Sequence, residues 1–499
     1  MIVNTKNGKV QGTLRSKQVV LFAGIPYAAP PTGELRWKAP HPLPDWEGIR
    51  DCTQFSRCAY QTSSVEWNVP SPYGSEWSPR MEETPSEDCL FLNIWAPAEC
   101  LEKKTKLPVL CVIHGGGFES GSGAVPVLDG TNMAEQGVVY ITINYRLGVF
   151  GFLAHSELSE ETSYHTSGNY GLLDQIQALQ WIQVNIEAFG GDPNRVTISG
   201  ESAGSISVNA LCESPLAKGL FSRAVAQSGS HIGKDTYCPQ ISLAEAELLG
   251  SKYVSRLAAV SIEELRMMPT KKLFDEGSGF FPFRDGYVWP VLAEEGFTNR
   301  KQNDVPLLLG SNADEGTIFD FYFKKNVVKK RFEKLAKERY QEDSFRFLER
   351  YPLTNGEQAS YSMSAAYGEK LFGYTIYSWA KSRVSSVNSA VFYYYFNHVT
   401  PGSNYGVYHS SQLPYFYRNL DKSETLWQDK DQKLMEEMSG YLLRFVKTGN
   451  PNGNSDDEWE SFDKNPETVM EFGEQVGMVR HPSIEMFRIY DKYDNRGES

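Results

Sequence analysis

The chain has 499 residues, of which 40% are hydrophobic and 22% are charged, a composition typical of a globular protein. Its formal net charge is −13. With no Lys/Arg-rich block, this charge argues against nucleic acid or an anionic membrane as a partner, because phosphate repulsion would have to be overcome locally. No apolar run reaches the roughly 18 residues that a membrane-spanning helix needs.

The seven cysteines include no Cys-x-x-Cys pair, which argues against a disulfide scaffold or a zinc ribbon. Residues 1–6 do not have the charged-then-apolar pattern of a secretion leader, and the chain has no Asn-x-Ser/Thr acceptor. We therefore expect a cytoplasmic protein of bacterial type, although a leader removed on secretion would leave no trace.

Strands and helices alternate along the chain. Residues 8–25 alternate in hydrophobicity and predict an antiparallel hairpin at a sheet edge. The predicted strands of the main sheet are 90–95, 107–113, 138–144, 196–198, 224–226, 305–309 and 391–396, the last being the final central strand. The predicted helices are 171–189, 243–275, 327–351 and 358–384, the last two on the surface. This alternation predicts an α/β protein with one doubly wound sheet, formed by a single domain over residues 1–499.

An irregular segment rich in Pro, Ser, Tyr and Trp follows Cys58 and precedes the strand that begins after Cys89. A loop this long in a compact domain is usually functional or disordered, and its aromatic residues favour a packed loop. We expect the loop 58–89 to lie near the mouth of the active site.

The segment around Ser202 has the pattern Gly200-Glu201-Ser202-Ala203-Gly204 between a predicted strand and a predicted helix. Gly-x-Ser-x-Gly in this context predicts a nucleophile elbow, a sharp turn that exposes the serine hydroxyl. Small residues flank the serine because neighbouring backbone passes close to the turn. The alternative is an ordinary strand-to-helix turn.

Three consecutive glycines, Gly115 to Gly117, follow the buried strand 107–113. They leave backbone amides free to approach a ligand, and upstream of an elbow they favour an oxyanion hole over a flexible loop.

A serine nucleophile needs a base to accept its proton, and an imidazole suits that role. Of the histidines after Ser202, His231 comes too early to leave room for an acid, and His481 lies in what we interpret as a late surface segment. His398 belongs to a strand end, whereas His409 lies farther along the exit loop. We expect His409 to be the base, with His398 in reserve.

The acid should leave the preceding strand, where Asp314 and Glu315 are adjacent. Either carboxylate could orient the imidazole and stabilise its charged form. Adjacent residues of a turn point in different directions, so only one can face the histidine. The residues alone do not decide between them.

The chain resembles the type-B carboxylesterase and cholinesterase family, nearest to its bacterial para-nitrobenzyl-esterase-like branch. The matching segments run in family order over nearly the whole chain: 86–95, 115–118, 144–148, 168–175, 189–193, 200–204, 227–230 and 314–316. The resemblance implies an α/β-hydrolase fold, with a large and mostly parallel sheet, helices on both faces and an antiparallel N-terminal edge.

The resemblance also implies roles for residues. It makes Glu315 the acid of a triad with Ser202 and His409, and it implies that Ser228 and Glu201 support the triad. The implied oxyanion donors are the amides of Gly116, Gly117 and Ala203. It implies structural ion pairs between Arg36 and Glu87 and between Arg146 and Asp174. It also implies that Cys58 and Cys89 can form a disulfide, although in a reducing cytosol both would remain thiols.

Two features depart from the family. The usual glutamate three residues after the histidine is Gln412, which weakens the idea of a charged partner for this loop. Trp77 is the nearest equivalent of the aromatic residue that binds quaternary ammonium in cholinesterases, but the residues after it align poorly, so we expect a structural tryptophan.

Pocket candidates besides Trp77 are Phe118, Gly277, Ser278 and Phe280. Gly277, Ser278 and Gly279 stand where some members have phenylalanine, which suggests a roomier acyl pocket.

The sequence thus predicts a serine carboxylesterase that forms an acyl-enzyme with a small-molecule ester, needs no cofactor or metal, binds neither nucleic acid nor membrane, and is monomeric. The same triad could act on amides, carbamates or lactones. A non-catalytic recognition protein on the same fold is the remaining alternative, although such proteins lose the nucleophile.

Overall fold

The computed structural model describes residues 1–62, 84–290, 302–322, 328–354, 356–453 and 459–494. Its main feature is an 11-stranded sheet in the order β16-β15-β14-β13-β12-β11-β9-β10-β8-β4-β3. The strands of this sheet are β3 Thr13–Leu14, β4 Val19–Pro26, β8 Phe91–Pro97, β9 Leu107–Ile113, β10 Val139–Ile143, β11 Gly191–Glu201, β12 Arg223–Gln227, β13 Leu307–Asn312, β14 Val391–Phe396, β15 Thr468–Phe472 and β16 Val476–Arg480.

Seven neighbouring strands, from β10 to β15 in that order, are parallel, and the strands at both margins are antiparallel. Two small sheets accompany this one: β1 Ile2–Asn4, β2 Lys9–Gln11 and β5 Ile49–Asp51, and the pair β6 Cys58–Ala59 and β7 Pro85–Ser86. The predicted α/β-hydrolase architecture, with its antiparallel N-terminal edge, is confirmed.

Helices connect the strands. Those before β13 are α1 Ala98–Lys103, α2 Thr131–Ala134, α3 Gly148–Phe152, α4 Ser156–Glu160, α5 Tyr170–Asn185, α6 Ala203–Glu213, α7 Leu243–Arg256, α8 Ile262–Met267 and α9 Thr270–Asp275. Those after it are α10 Val328–Tyr340, α11 Ser344–Arg350, α12 Gly356–Gly368, α13 Thr375–Ser386, α14 Leu413–Phe416, α15 Asp429–Thr448 and α16 Ile484–Asp494. Within the described residues, no helix is both long enough and apolar enough to cross a bilayer.

Strands β9 and β14 are apolar along almost their whole length because both faces of the sheet are covered there. In β9 every residue after Leu107 is buried, and in β14 all six residues are. Two large hydrophobic clusters form the core, one on each face of the sheet.

This topology decides where loops can meet. Because β9, β11, β12, β13 and β14 are adjacent and parallel, their carboxyl ends lie at the same edge of the sheet. The segments that leave these five strands carry the glycine run, Ser202, Ser228, Glu315 and His409.

Three element predictions need correction. The strand at 391–396 is not the last parallel strand, because β15 pairs with it in parallel. The helical region 243–275 is divided into three helices, α7 to α9, and Pro269 directly precedes α9. The helix predicted on the surface at 358–384 is largely internal in α13, where Ile376, Trp379 and Arg383 are fully buried.

Candidate active site

The elbow at Ser202 is a direct junction of strand and helix. β11 ends at Glu201, and α6 begins at Ala203. Ser202 has φ 57° and ψ −122°, a backbone conformation that non-glycine residues seldom adopt and that occurs mainly at functional sites.

The neighbouring glycines are required by close backbone contacts. A Cβ atom at Gly200 would lie 2.2 Å from the carbonyl oxygen of Gly204, and one at Gly204 would lie 2.2 Å from that of Ile113. The Ser202 side chain is therefore presented on a turn that no larger flanking residue would allow.

The glycine run after β9 lies beside this elbow. A Cβ atom at Gly115 would be 3.2 Å from Cβ of Ser202. Gly116 and Gly117 have φ values of +99° and +64°. Among the described residues, no protein group accepts a hydrogen bond from the amides of Gly116, Gly117 or Ala203. These three amides are therefore available to a ligand.

Residues that the sequence analysis did not single out hold this loop in place. The Gln61 side chain both donates to the carbonyl of Gly121 and accepts from its amide, each at 2.8 Å. The Tyr145 hydroxyl donates to the His114 carbonyl at 3.0 Å, and the two rings stack. Burial lowers the pKa of His114 to about 4, so its ring is neutral. The Tyr237 hydroxyl also lies against this loop, 2.4 Å from where a Gly117 Cβ would be.

Glu315 is the carboxylate that faces His409. Its Oε2 lies 2.5 Å from Nδ1 of the imidazole, and both side chains are buried. Its Oε1 accepts hydrogen bonds from the Ser228 hydroxyl at 2.5 Å and from the Asn312 amide at 2.6 Å.

Asp314 turns the other way. Its oxygens accept hydrogen bonds from the Val407 amide at 2.9 Å and the Tyr361 hydroxyl at 3.0 Å. The choice that the residues alone left open is therefore resolved by the direction of these two side chains, with Glu315 toward the imidazole.

The other ring nitrogen of His409 faces the elbow. Its Nε2 lies 3.1 Å from Oε1 of Glu201, the neighbour of Ser202, yet it makes no hydrogen bond with any described residue. Glu201 Oε1 instead accepts from the Ser410 hydroxyl at 2.6 Å. Nε2 therefore lies close to the carboxyl end of β11 and has no hydrogen-bond partner among the described residues.

Burial and neighbouring charges have opposite effects on the pKa of the His409 imidazole. Burial lowers the pKa of His409, but the carboxylates of Glu201 and Glu315 raise it, and the net change is upward. Burial raises the pKa of Glu201 to about 7, despite the opposing influence of His409 and the Ser410 hydrogen bond. The site therefore contains a carboxyl group that titrates near neutrality.

An aromatic ring covers the imidazole. Phe372 lies with its centroid 4.2 Å from that of His409 at an interplanar angle of 30°, and Phe319 lies 5.9 Å away. Phe372 belongs to a π-helical segment, Glu369–Tyr374, between α12 and α13. Such segments are rare and often occur at functional sites. No local pattern in the sequence indicated this contact.

The other histidines have different partners. His398 was the second candidate for the base. Its Nε2 lies 2.7 Å from Oδ1 of Asp431, which also caps α15, so this imidazole is engaged away from Glu315. His231 packs against Trp289. The interpretation of His481 as a surface residue is wrong: it is 2% exposed and contacts Tyr393.

The structure describes four of the five predicted pocket residues. Phe118 is fully buried and packs edge-on against Phe152, and Phe280 packs against Tyr253. Ser278 is exposed. A Cβ at Gly277 would lie 2.6 Å from Cγ1 of Val149, so this glycine allows close packing there, and the roomier acyl pocket stays a prediction. Trp77, with most of the loop 58–89, lies outside the described residues.

The two implied ion pairs are confirmed. Arg36 binds Glu87 and Arg146 binds Asp174, each through two hydrogen bonds and each buried. Cys58 and Cys89 are both buried, and the disulfide that the resemblance implies stays a prediction. Burial raises the pKa of the Cys89 thiol, which lowers its thiolate fraction and so its reactivity toward a disulfide.

Among the described residues, no three His, Cys, Asp or Glu side chains form a cluster that could hold a metal ion. What the site does contain is a hydroxyl on a strained turn, three unoccupied amides, and an imidazole fixed on one side by a carboxylate. Groups of these kinds are the ones that acyl transfer requires.

Comparison with known proteins identifies the family of this chain. The profile of the carboxylesterase family matches residues 1–488. A fumonisin B1 esterase of Sphingopyxis macrogoltabida is 34% identical over 96% of this chain and 87% of its own length. A para-nitrobenzyl esterase of Bacillus subtilis is 32% identical over 97% of both chains. An acetylcholinesterase of Danio rerio is 30% identical over 97% of this chain and 85% of its own. The protein therefore belongs to the carboxylesterase family, and it is a carboxylic ester hydrolase.

Proposed function

We propose that Ser202, His409 and Glu315 form the catalytic triad of this esterase and that the reaction passes through an acyl-enzyme on Ser202. The observation that carries the proposal is the placement of the His409 imidazole. Its Nδ1 lies 2.5 Å from Oε2 of Glu315, and its Nε2 lies 3.1 Å from Glu201, the residue before Ser202, without a hydrogen bond to any described residue. An imidazole held in this way has one tautomer, with the proton on Nδ1 and a basic Nε2.

In the acylation step, Nε2 of His409 removes the proton of Ser202 while Oγ attacks the ester carbonyl. Glu315 stabilises the resulting imidazolium, and its second oxygen is held by Ser228 and Asn312. The imidazolium then gives its proton to the departing alcohol. Water repeats the sequence on the acyl-enzyme and releases the acid.

The oxyanion of each tetrahedral intermediate would be bound by the amides of Gly116, Gly117 and Ala203. Ala203 is the first residue of α6, where the helix dipole also favours negative charge. Losing one such donor costs on the order of 10²-fold in rate or more.

We infer that the substrates are small-molecule esters. Two of the relatives are named for ester hydrolysis, of fumonisin B1 and of a para-nitrobenzyl ester, which supports esters over amides. The net charge of −13 supports the absence of a nucleic-acid partner. We further propose a monomer in a bacterial cytoplasm, where the reduced state of Cys58 and Cys89 would persist.

A labelling experiment tests the triad. The wild-type protein should react with a fluorophosphonate at Ser202, located by peptide mass spectrometry, and should hydrolyse p-nitrophenyl esters with a burst. Ser202→Ala should lose both the label and the burst. Ser255→Ala, which removes an exposed hydroxyl on α7, should keep both. Turnover by Ser202→Ala above the level of a mock purification would contradict the proposal.

A further inference from the structure

A layer of neutral polar side chains lies beneath the proposed triad. Its members come from β11, β12 and β13 and from the segment that follows His409, and all are almost completely buried: Ser199, Gln227, Asn312, Gln412 and Tyr417. Ser199 and Asn312 precede Ser202 and Glu315 by three residues, Gln227 precedes Ser228 by one, and Gln412 follows His409 by three.

These side chains form a continuous chain of hydrogen bonds. Asn312 Nδ2 donates to Gln412 Oε1 at 2.7 Å, and Gln412 Nε2 donates to Gln227 Oε1 at 3.3 Å. Gln227 Nε2 donates to the Tyr417 hydroxyl at 2.9 Å, which is 2.9 Å from the Ser199 hydroxyl. The chain therefore crosses from β13 to β12 and β11 through the loop that bears His409.

Asn312 connects this layer to the backbone just before His409 and to Glu315, the carboxylate bound to the imidazole. Its Nδ2 also donates to the carbonyl of Tyr408, the residue before His409, at 2.7 Å, and its backbone amide donates to Glu315. A displacement of Gln412 would therefore be transmitted to the backbone at His409 and to the position of Glu315.

The chemistry of the layer requires an amide at position 412. Gln412 accepts from one neighbour and donates to the next, which a carboxylate cannot do. A glutamate here would also bring a third carboxylate into a region that already contains Glu201 and Glu315. The cost of an uncompensated buried charge is high, whereas a neutral side chain whose donor and acceptor are both used, as in Gln412, holds its neighbours in one arrangement.

We propose that Gln412 is a positioning residue for His409: its amide bridges β13 and β12 and holds the loop 408–412 so that the imidazole stays aligned between Glu315 and Ser202. This inference rests on the proposed role of His409 as the base.

Two substitutions at Gln412 distinguish the effect of losing its hydrogen bonds from the effect of adding a charge. Gln412→Met keeps the length of the side chain but removes both hydrogen bonds, and Gln412→Glu keeps the shape but removes the donor and adds an ionisable group. Both should lower kcat by about tenfold to a hundredfold with KM changed less than about threefold, because small displacements of catalytic groups are costly.

The pH profile gives a second readout that a structural role would not change. The titratable groups around the layer include Glu201, Glu315, His409, Tyr408 and Tyr417, together with Tyr394 and Tyr140, which face Tyr417. A new carboxylate among them should move the acid limb of kcat/KM to higher pH in Gln412→Glu, because it stabilises the imidazolium. Gln412→Met should leave that limb within about 0.3 pH unit of the wild-type position, since its charge is unchanged.

Gln175→Glu is the matched control. Gln175 is also fully buried, and it bonds Ser207 on α6, outside this layer. It should lower thermal stability but leave kcat and the acid limb unchanged. Wild-type kcat in both folded Gln412 variants, or an equal kcat loss in Gln175→Glu, would overturn the proposal. A failure of the triad proposal can be told apart from a failure of the Gln412 proposal. If the triad is wrong, a fluorophosphonate will not label Ser202 of the wild-type protein.

Discussion

At the scale of single residues, the two ring nitrogens of His409 face two different carboxylates. Glu315 is bonded to Nδ1, whereas Glu201 lies 3.1 Å from Nε2 without a hydrogen bond to it. We interpret Glu315 as the orienting group and Glu201 as a nearby charge that tunes the protonation of the imidazole. The two roles make different predictions.

Replacing Glu315 by Gln should lower kcat by about 10³- to 10⁴-fold with little change in KM, as loss of the acid does in other serine triads. The amide cannot stabilise the imidazolium and can present a donor to Nδ1. Steady-state kinetics on a p-nitrophenyl ester measures the effect. Asp314→Asn is the matched control, since Asp314 bonds Val407 and Tyr361 instead. A comparable loss in the control would contradict the assignment.

Replacing Glu201 by Gln should move the acid limb of kcat/KM to lower pH. The carboxylates of Glu201 and Glu315 raise the pKa of His409 against the effect of burial, so removing one of them lowers that pKa. The pH–rate profile of the variant against the wild type measures the shift. Glu187→Gln, on the surface, is the control. An acid limb that stays in place, or moves upward, would show that Glu201 does not act on the base.

The residues of the site could be predicted from sequence only in part. Ser202 and the glycines at 115–117 stand in local patterns whose chemistry is recognisable. His409 was selected by chain order, and Glu315 over Asp314 only through family resemblance. Phe372 and the Gln412 layer were not predicted, because their contacts join segments that are far apart in the chain and share no motif.

At the scale of elements, the elbow depends on how closely α6 approaches β9. Gly204→Ala should destabilise the protein by several kcal/mol and abolish fluorophosphonate labelling, because the new Cβ would meet the Ile113 carbonyl at 2.2 Å and backbone cannot easily move. Thermal denaturation and labelling measure the two effects. Gly477→Ala in β16, where no atom lies within 4 Å of the added Cβ, is the control. A stable, fully labelled Gly204→Ala protein would contradict this view of the elbow.

The strands were easier to predict than the helices. A continuous apolar run such as that of β9 indicates a buried central strand without further information. Strand β15 was missed because its run is short and includes Glu471, and it pairs with β14 over only three residues. Helix α13 was placed on the surface because its polar residues suggested exposure, but Arg383 is buried by hydrogen bonds to Gln302, Asn303 and Val305.

At the scale of the whole molecule, three buried histidines should govern stability in acid. Burial lowers the pKa of His114 to about 4 and those of His231 and His481 to about 3. In the unfolded chain these groups take up protons near pH 6.5. The unfolded state therefore binds more protons between about pH 4 and 6.5, and stability should fall as pH decreases through that window.

Each histidine contributes up to about 1.4 kcal/mol per pH unit to this slope. Glu201, with a pKa raised to about 7, acts in the opposite direction, since its contribution is lost as pH rises from about 4.5 to 7. Glu119, Asp285 and His409, whose pKa values are also raised, act in the same direction as Glu201, but the larger shifts of the three histidines keep the net slope positive. Urea unfolding at pH 5 and pH 7 should give a lower free energy of unfolding at pH 5, and His231→Phe should reduce the difference. Equal stability at both pH values would contradict this account.

The central claim is that three segments leaving different strands converge on one ester carbonyl. The most direct test is a crystal structure of the protein after reaction with a fluorophosphonate. We predict phosphorus bonded to Oγ of Ser202, its oxygen within hydrogen-bonding distance of the amides of Gly116, Gly117 and Ala203, and Nε2 of His409 facing the adduct. An adduct on another residue, or an imidazole of His409 turned away from Ser202 with its bond to Glu315 broken, would contradict the account.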